Sequence, residues 1–297
     1  MASPTTPCHG KLGALYVLRP NGFSGSGLND LTWGTGYSGA DASIYEVVID
    51  HAAATDSFKW RKDGAAWTED VNITGAEQTL DEGQKLTFAA TTGHTATDQW
   101  VIGNLKAEPT TESGTGAQIT AAARQLLNPN APPTFADSGG KLVTQINFTN
   151  GTAIFDGNVT IVTVEGNNGY IPAAALKKVG YLLDWSLSIT LDMADCSRMG
   201  QSWKEALPGQ AGGSGSANGY FIATESLWKN LKESIEAGEK YFLLQLFNYD
   251  PDQDQTGDHI NAWVSFTSFN LGADIGSVVK ETVNFQLQGA ISFTANV

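Results

Sequence analysis

The chain has 297 residues, enough for one large or two modest domains. Hydrophobic residues make up 41%, too many for a disordered chain, and charged residues only 16%, against roughly 25% in typical soluble domains. The formal net charge of −14 argues against specific nucleic-acid binding, which draws on Lys and Arg to meet phosphates.

The 33 glycines, with abundant Ser, Thr and Asn, suit a many-stranded β protein with frequent turns. The opening residues, Met1 to Pro7, carry neither a basic region nor an apolar core, so no secretory signal is expected. Residues 9–18 read as a short first strand after an arm, and 22–27 as a Gly/Ser loop. Residues 44–49 are β-branched and strand-like, and 57–61 alternate polar and aromatic side chains. Asp63-Gly64 supplies a turn. Two further strands are expected at 85–89 and 99–102, with Trp60, Trp67 and Trp100 in the core of a small antiparallel module. Residues 106–116 read as a polar linker and the best domain boundary.

Beyond it, 120–127 suggest one or two helical turns capped by Thr120, and 128–140 a loop rich in Pro, Asn and Gly. Strands are expected at 142–148 and 159–164. Residues 185–192 alternate strictly, with Trp185, Leu187, Ile189 and Leu191 on one face. Near the end, Val283, Phe285, Leu287, Ile291 and Phe293 share a face. Such alternation gives one buried and one wet side, the habit of antiparallel sheets. Between these lies one helix, 225–237, capped by Thr224 and striped by Leu227, Trp228, Leu231 and Ile235, then a strand over 241–249. The most apolar run, 241–247, is short and interrupted by Gln245, so no membrane span is expected.

A search for chemistry yields little. His9, His51, His94 and His259 sit in unrelated segments, with no metal-ligand spacing. No nucleophile elbow or phosphate-binding loop is present, and Gly213-Ser214-Gly215-Ser216 reads as a flexible loop. Paired carboxylates converge only in space, so a hydrolase stays an open alternative. Asp250, Asp252 and Asp254 alternate as in a Ca²⁺ loop, but Gln255 and Asn261 replace its Gly and Glu, which favours a solvated hairpin loop. Cys8 and Cys196 read as two unpaired thiols, with one disulfide the alternative. No catalytic residue, cofactor or metal is expected. A carbohydrate-binding β-sandwich module is the alternative function, invited by the Trp and Tyr content.

Several segments in order carry a resemblance. They are His9-Gly10-Lys11 with Tyr16-Val17, the strand 183–189 running into Asp192-Met193-Ala194-Asp195-Cys196-Ser197, and the passage Gln201-Ser202-Trp203-Lys204-Glu205-Ala206-Leu207-Pro208-Gly209. Gly219-Tyr220-Phe221, the helix and a closing strand at 283–288 before Gly289 follow. Together they resemble the major tail tube proteins of long-tailed, siphophage-type bacteriophages. The resemblance implies an antiparallel β-sandwich or barrel with one flanking helix, an arm and first strand at 1–28, and a tube domain at 107–297. Residues 29–106 then form a small inserted all-β module. It further implies a virion structural protein, made in the host cytoplasm, that stacks as homohexameric rings into the tail tube through which the genome passes. The implied partners are further copies of itself, the tape measure, terminator and tip proteins, and DNA in transit without specific binding. The implied subunit and ring interface uses Trp203, Lys204, Glu205, Leu207, Pro208 and Tyr220.

Overall fold

The computed structural model describes residues 13–19, 21–195, 206–220, 235–236, 241–247, 259–272 and 280–294. The fold is mainly β, and every strand pairing among the described residues is antiparallel. The expected helix over 225–237 lies mostly outside the described residues; Ile235 and Glu236 are helical. Cys8, Cys196 and the 250–258 loop also lie outside them.

Strand β1 (Gly13–Leu18) is followed by β2 (Phe23–Ser24), β3 (Leu31–Gly34), β4 (Ser43–His51), β5 (Ser57–Lys62), β6 (Thr68–Asn72), β7 (Gln78–Thr79) and β8 (Lys85–Phe88). The turn between β5 and β6 is tight because Asp63 and Gly64 both take positive φ, 49° and 72°, the geometry of a type I′ hairpin turn. The Ala65 N–H closes it on the Lys62 carbonyl at 2.9 Å. These strands enclose a core containing Phe23, Tyr45, Phe58, Phe88 and Trp100. Trp60 packs against that core. Trp67 does not belong to it, contrary to expectation: Arg61 and Lys59 hold their charges 4.5 and 5.1 Å from the centre of its ring, which stays half-buried over them.

At the heart of this module lies His94. Its side chain is fully buried, with Nδ1 2.9 Å from Asp56 Oδ2 and Nε2 2.8 Å from Asp30 Oδ1. Asp98, also buried, accepts the N–H groups of Ser26, Gly27 and Thr95, which ties the 22–27 loop to the start of the next strand.

That strand, β9 (Gln99–Ser113), takes the place of most of the linker expected over 106–116. Its first part pairs β4 and β2; its second pairs β10 (Gly116–Ile119) and β14 (Val162–Tyr170). Residues 106–113 are polar because their inward side chains hydrogen-bond instead of packing. Glu108 is buried against Arg124 at 2.6 Å. The Thr110 hydroxyl donates to the Val162 carbonyl, and Glu112 accepts the Val162 N–H. The same sheet system takes in β11 (Thr134–Asp137), β12 (Val143–Asn147) and β13 (Thr152–Phe155) around a second core of Leu105, Ile119, Leu127, Phe135, Phe155 and Val164. Strand β11 falls inside the expected 128–140 loop, and the strand expected from 159 begins at Val162. The expected helical turn is a 3-10 turn, Ala122–Arg124, without a side-chain cap from Thr120.

The remaining strands are β15 (Lys177–Asp195), β16 (Ala206–Tyr220), β17 (Phe242–Phe247), β18 (His259–Gly272), β19 (Lys280–Leu287) and β20 (Ser292–Thr294). With β1 they run β17-β1-β15-β16-β19-β18, and β17 also pairs β18, so six strands close on themselves; β20 adds to β18. Within this sheet β1 pairs β15 and β17, which joins the start of the chain to its later strands. Inside it sit Phe242, Leu244, Leu246, Ala262, Val264, Val283 and Phe285. The other side of β17 and β18 is dry as well, because Leu243 and Trp263 pack with Val101 of β9 and with Ile171 and Ala175 just after β14.

The glycine-rich stretch 212–215 is strand, not loop, paired with β15 and from Ser214 also with β19. A side chain there has no room. A Cβ on Gly215 would lie 2.3 Å from the Ser186 carbonyl oxygen and 2.5 Å from Phe285 Cζ. The glycines therefore let the Phe285 and Leu287 side chains lie across β16. Gly215→Val is expected to cost about 1–3 kcal/mol through overpacking. A lowered urea midpoint would show it, and an unchanged midpoint would mean that the barrel gives way freely at this point.

Candidate functional site

Strand β15 spans 19 residues and β16 spans 15, yet the barrel uses only their inner ends. β1 pairs β15 only over Lys177–Leu182, and β19 pairs β16 only over Ser214–Tyr220. Beyond that, among the described residues, 189–195 and 206–213 pair only with one another: Ile189 faces Gly213, Leu191 faces Ala211 and Met193 faces Pro208. Among the described residues, the outer half of this pair is a two-stranded ribbon with no strand paired to either of its edges.

Its side chains do not suit solvent. Trp185 and Leu187 begin an apolar stripe packed against the barrel core. The stripe continues outward through Ile189, Leu191 and Met193, which are 59%, 51% and 57% exposed; Leu207 on the return strand is 60% exposed. The alternate positions Ser188, Thr190 and Asp192 are exposed too, so no described residue covers either face of the ribbon. Isolated two-stranded ribbons are marginally stable in water, and an apolar one with free edges is a template for another chain. This ribbon is the strongest candidate site on the molecule.

Three of the six residues expected at an interface lie among the described residues. Trp203, Lys204 and Glu205 lie outside the described residues. Leu207 and Pro208 sit at the far end of β16, both exposed, within the ribbon. Tyr220 ends the same strand at the barrel, opposite Lys280, about 40 Å away at roughly 3.3 Å per residue. Ile189 and Leu191 were expected on a buried face, and it is their exposure that marks the site. The length of the alternating run was the available signal, since it exceeds what a six-residue neighbour such as β1 can cover.

Among the described residues, one trio could approach a metal ion: Asp50, His51 and Asp70 lie with their ligand atoms within 4.8 Å of one another. His51 Nδ1 is 3.5 Å from Asp50 Oδ1 and 3.4 Å from Asp70 Oδ1. Asp50 also accepts the Ser57 hydroxyl and the Asp70 N–H, so the trio reads as a hydrogen-bonded surface cluster. Burial works against the charge on Asp50, but the Ser57, Asp70 and His51 donors hold its carboxyl below the usual range. No helix among the described residues is long and apolar enough to cross a membrane.

No protein-family model matches the chain, and no curated protein matches it. Among solved structures, the chain is similar to one from the virion of a native gene transfer agent particle: identity is 20% and the TM-score 0.33, over 41% of this chain and 91% of that one. It is similar to a chain from the tail of an empty gene transfer agent particle refined with C6 symmetry, at 20% identity and TM-score 0.33, over 41% and 89%. It is also similar to the SPP1 tail tube solved by solid-state NMR and cryo-EM, at 10% identity and TM-score 0.31, over 38% and 64%.

Proposed function

We propose that this chain is a non-catalytic subunit of a phage tail tube, located in the virion and assembled in the host cytoplasm as stacked homohexameric rings. The observation that carries the reading is the ribbon of β15 and β16, with Ile189, Leu191, Met193 and Leu207 exposed beside two edges that no described residue pairs. A neighbouring copy that pairs those edges would bury the stripe and remove the association hazard at once. The strand order and the Trp203-Lys204-Glu205 and Leu207-Pro208-Gly209 passage support the same reading through their resemblance to tail tube proteins. So does the charge, since a formal −14 repels a passing polyanion, which suits a conduit that must not hold its DNA. In that role tape measure, terminator and tip proteins are the further partners.

The barrel's remaining strands find their partners inside one chain, so continuity between subunits falls to the ribbon. Electron microscopy of the concentrated full-length chain tests this. Rings or tubes with sixfold symmetry are the expected result. A monodisperse monomer at every concentration and salt, with no such chain in tail preparations, would overturn it.

A further inference from the structure

A second site lies far along the chain from the ribbon. A cleft of about 460 Å³ opens where the β3 region meets the segments around 130 and 167. That is within the range of about 300–1,000 Å³ usual for small-molecule sites. Its wall includes one aromatic ring, Trp33, and a concentration of side-chain amides, among them Asn130, Asn167 and Asn168.

The ring is held in place. Trp33 packs against the first core, and its Nε1–H donates to the Asn21 carbonyl at 3.1 Å. Asn21 is fixed in turn by donating Nδ2–H to Asn29 Oδ1 at 2.6 Å, and that oxygen also accepts the Trp100 indole N–H. The amides opposite are uncommitted. Asn130 uses only its backbone N–H, on Asn128 Oδ1. No described residue engages the Asn167 side chain. Asn168 donates its backbone N–H to Asn104 Oδ1 at 2.8 Å, while its own side-chain oxygen is sealed from solvent with no donor. A buried amide oxygen without a donor costs about 1–3 kcal/mol. Turning that side chain toward a ligand therefore gives up no hydrogen bond.

The one carboxylate in the wall is already spent. Asp30 Oδ1 meets His94 Nε2 at 2.8 Å, and Asp30 Oδ2 accepts the Ala90 N–H at 2.6 Å. The cleft thus offers an apolar ring face, paired donors and acceptors, and no free charge. Ligands that match this are neutral and polyhydroxylated, with a C–H face to stack on indole and hydroxyls that both donate and accept. We propose that the cleft between Trp33 and Asn130, Asn167 and Asn168 binds a neutral carbohydrate.

The test uses the full chain on a printed array carrying neutral hexose and N-acetylhexosamine oligosaccharides beside acidic ones, then calorimetric titration with the strongest neutral oligosaccharide. Binding to neutral glycans is expected. The double variant Asn167→Ala, Asn168→Gly is expected to weaken it about tenfold. Asn168 sits at φ 55°, so glycine keeps its backbone conformation, and an unchanged unfolding midpoint confirms that the variant is folded. Trp33→Phe gives an independent check and should weaken binding less, since a smaller ring still stacks. No neutral glycan bound, binding to acidic glycans alone, or affinity that both variants leave unchanged would each overturn the proposal. None of these outcomes bears on whether the chain assembles into tubes.

Discussion

Ile189→Asp combined with Leu191→Asp is expected to leave the subunit folded and to abolish ring and tube formation. Both side chains are more than half exposed, at 59% and 51%, so the folded subunit loses little contact when they change. Surface substitutions of this kind usually stay within about 0.5 kcal/mol. In an assembly the balance differs. Burying the exposed part of four apolar side chains contributes roughly 1 kcal/mol each. Two carboxylates placed in that seam would have to shed water without a partner, which costs more than the contact returned. Denaturant unfolding of the variant should match the parent, while negative-stain images and sedimentation should show subunits in place of tubes. Normal tubes from the double variant would move the contact elsewhere and remove the ribbon from the assembly.

His94→Leu is expected to cost about 3–5 kcal/mol of folding stability, the usual result of removing one member of a buried charged network. The side chain is fully buried, with a carboxylate oxygen within 2.9 Å of each ring nitrogen. The ring thus ties together two carboxylates that come from distant parts of the chain. Around it Phe88 lies 5.2 Å away edge-on and Trp100 6.3 Å away, so no water stands ready to replace it. Leucine fills the space but leaves Asp56, 1% exposed, facing an apolar atom. Urea unfolding would measure the loss, and a change below about 1 kcal/mol would show that the network contributes little to stability.

The pH dependence follows from Asp56. Burial raises its pKa, but the Ala53 and His94 N–H groups and the His94 ring outweigh that and hold it below the ordinary carboxylate value. A lowered folded-state pKa stabilises above the unfolded value, and the benefit fades as pH falls from about 4 toward the folded value. In the leucine variant the ring's share is gone, so the stability gap between parent and variant should narrow as pH falls below about 4. A gap that widened on acidification would contradict this assignment.

Local pattern carried far in this chain. β-branched, alternating and apolar runs located β4, β5, β8, β12 and β17 within a residue or two, and Asp63-Gly64 announced its turn. What alternation could not convey was the identity of the neighbour. Residues 106–113 look like a linker because Glu108, Thr110 and Glu112 are polar, and only the fold supplies Arg124 and Val162 to satisfy them. Residues 212–215 look like a loop because glycine usually weakens a strand, and only the fold brings Phe285 and Leu287 across them. The candidate site was half legible. Leu207 and Pro208 came from the resemblance, whereas Ile189 and Leu191 were hidden by an alternation that holds equally for a strand against a core and for one waiting for another chain.

The register of β1 on β15 has a practical consequence for engineering. Val17 sits directly opposite Lys177, so the chain leaves the barrel and returns to it at adjoining points after more than half its length. A short turn joining Leu18 to Lys177 would convert the two strands into a hairpin, and any foreign domain with closely spaced termini could be grafted there. The graft would need to shield Leu243 and Trp263, which the native 21–176 segment keeps dry, or those two positions would have to be made polar.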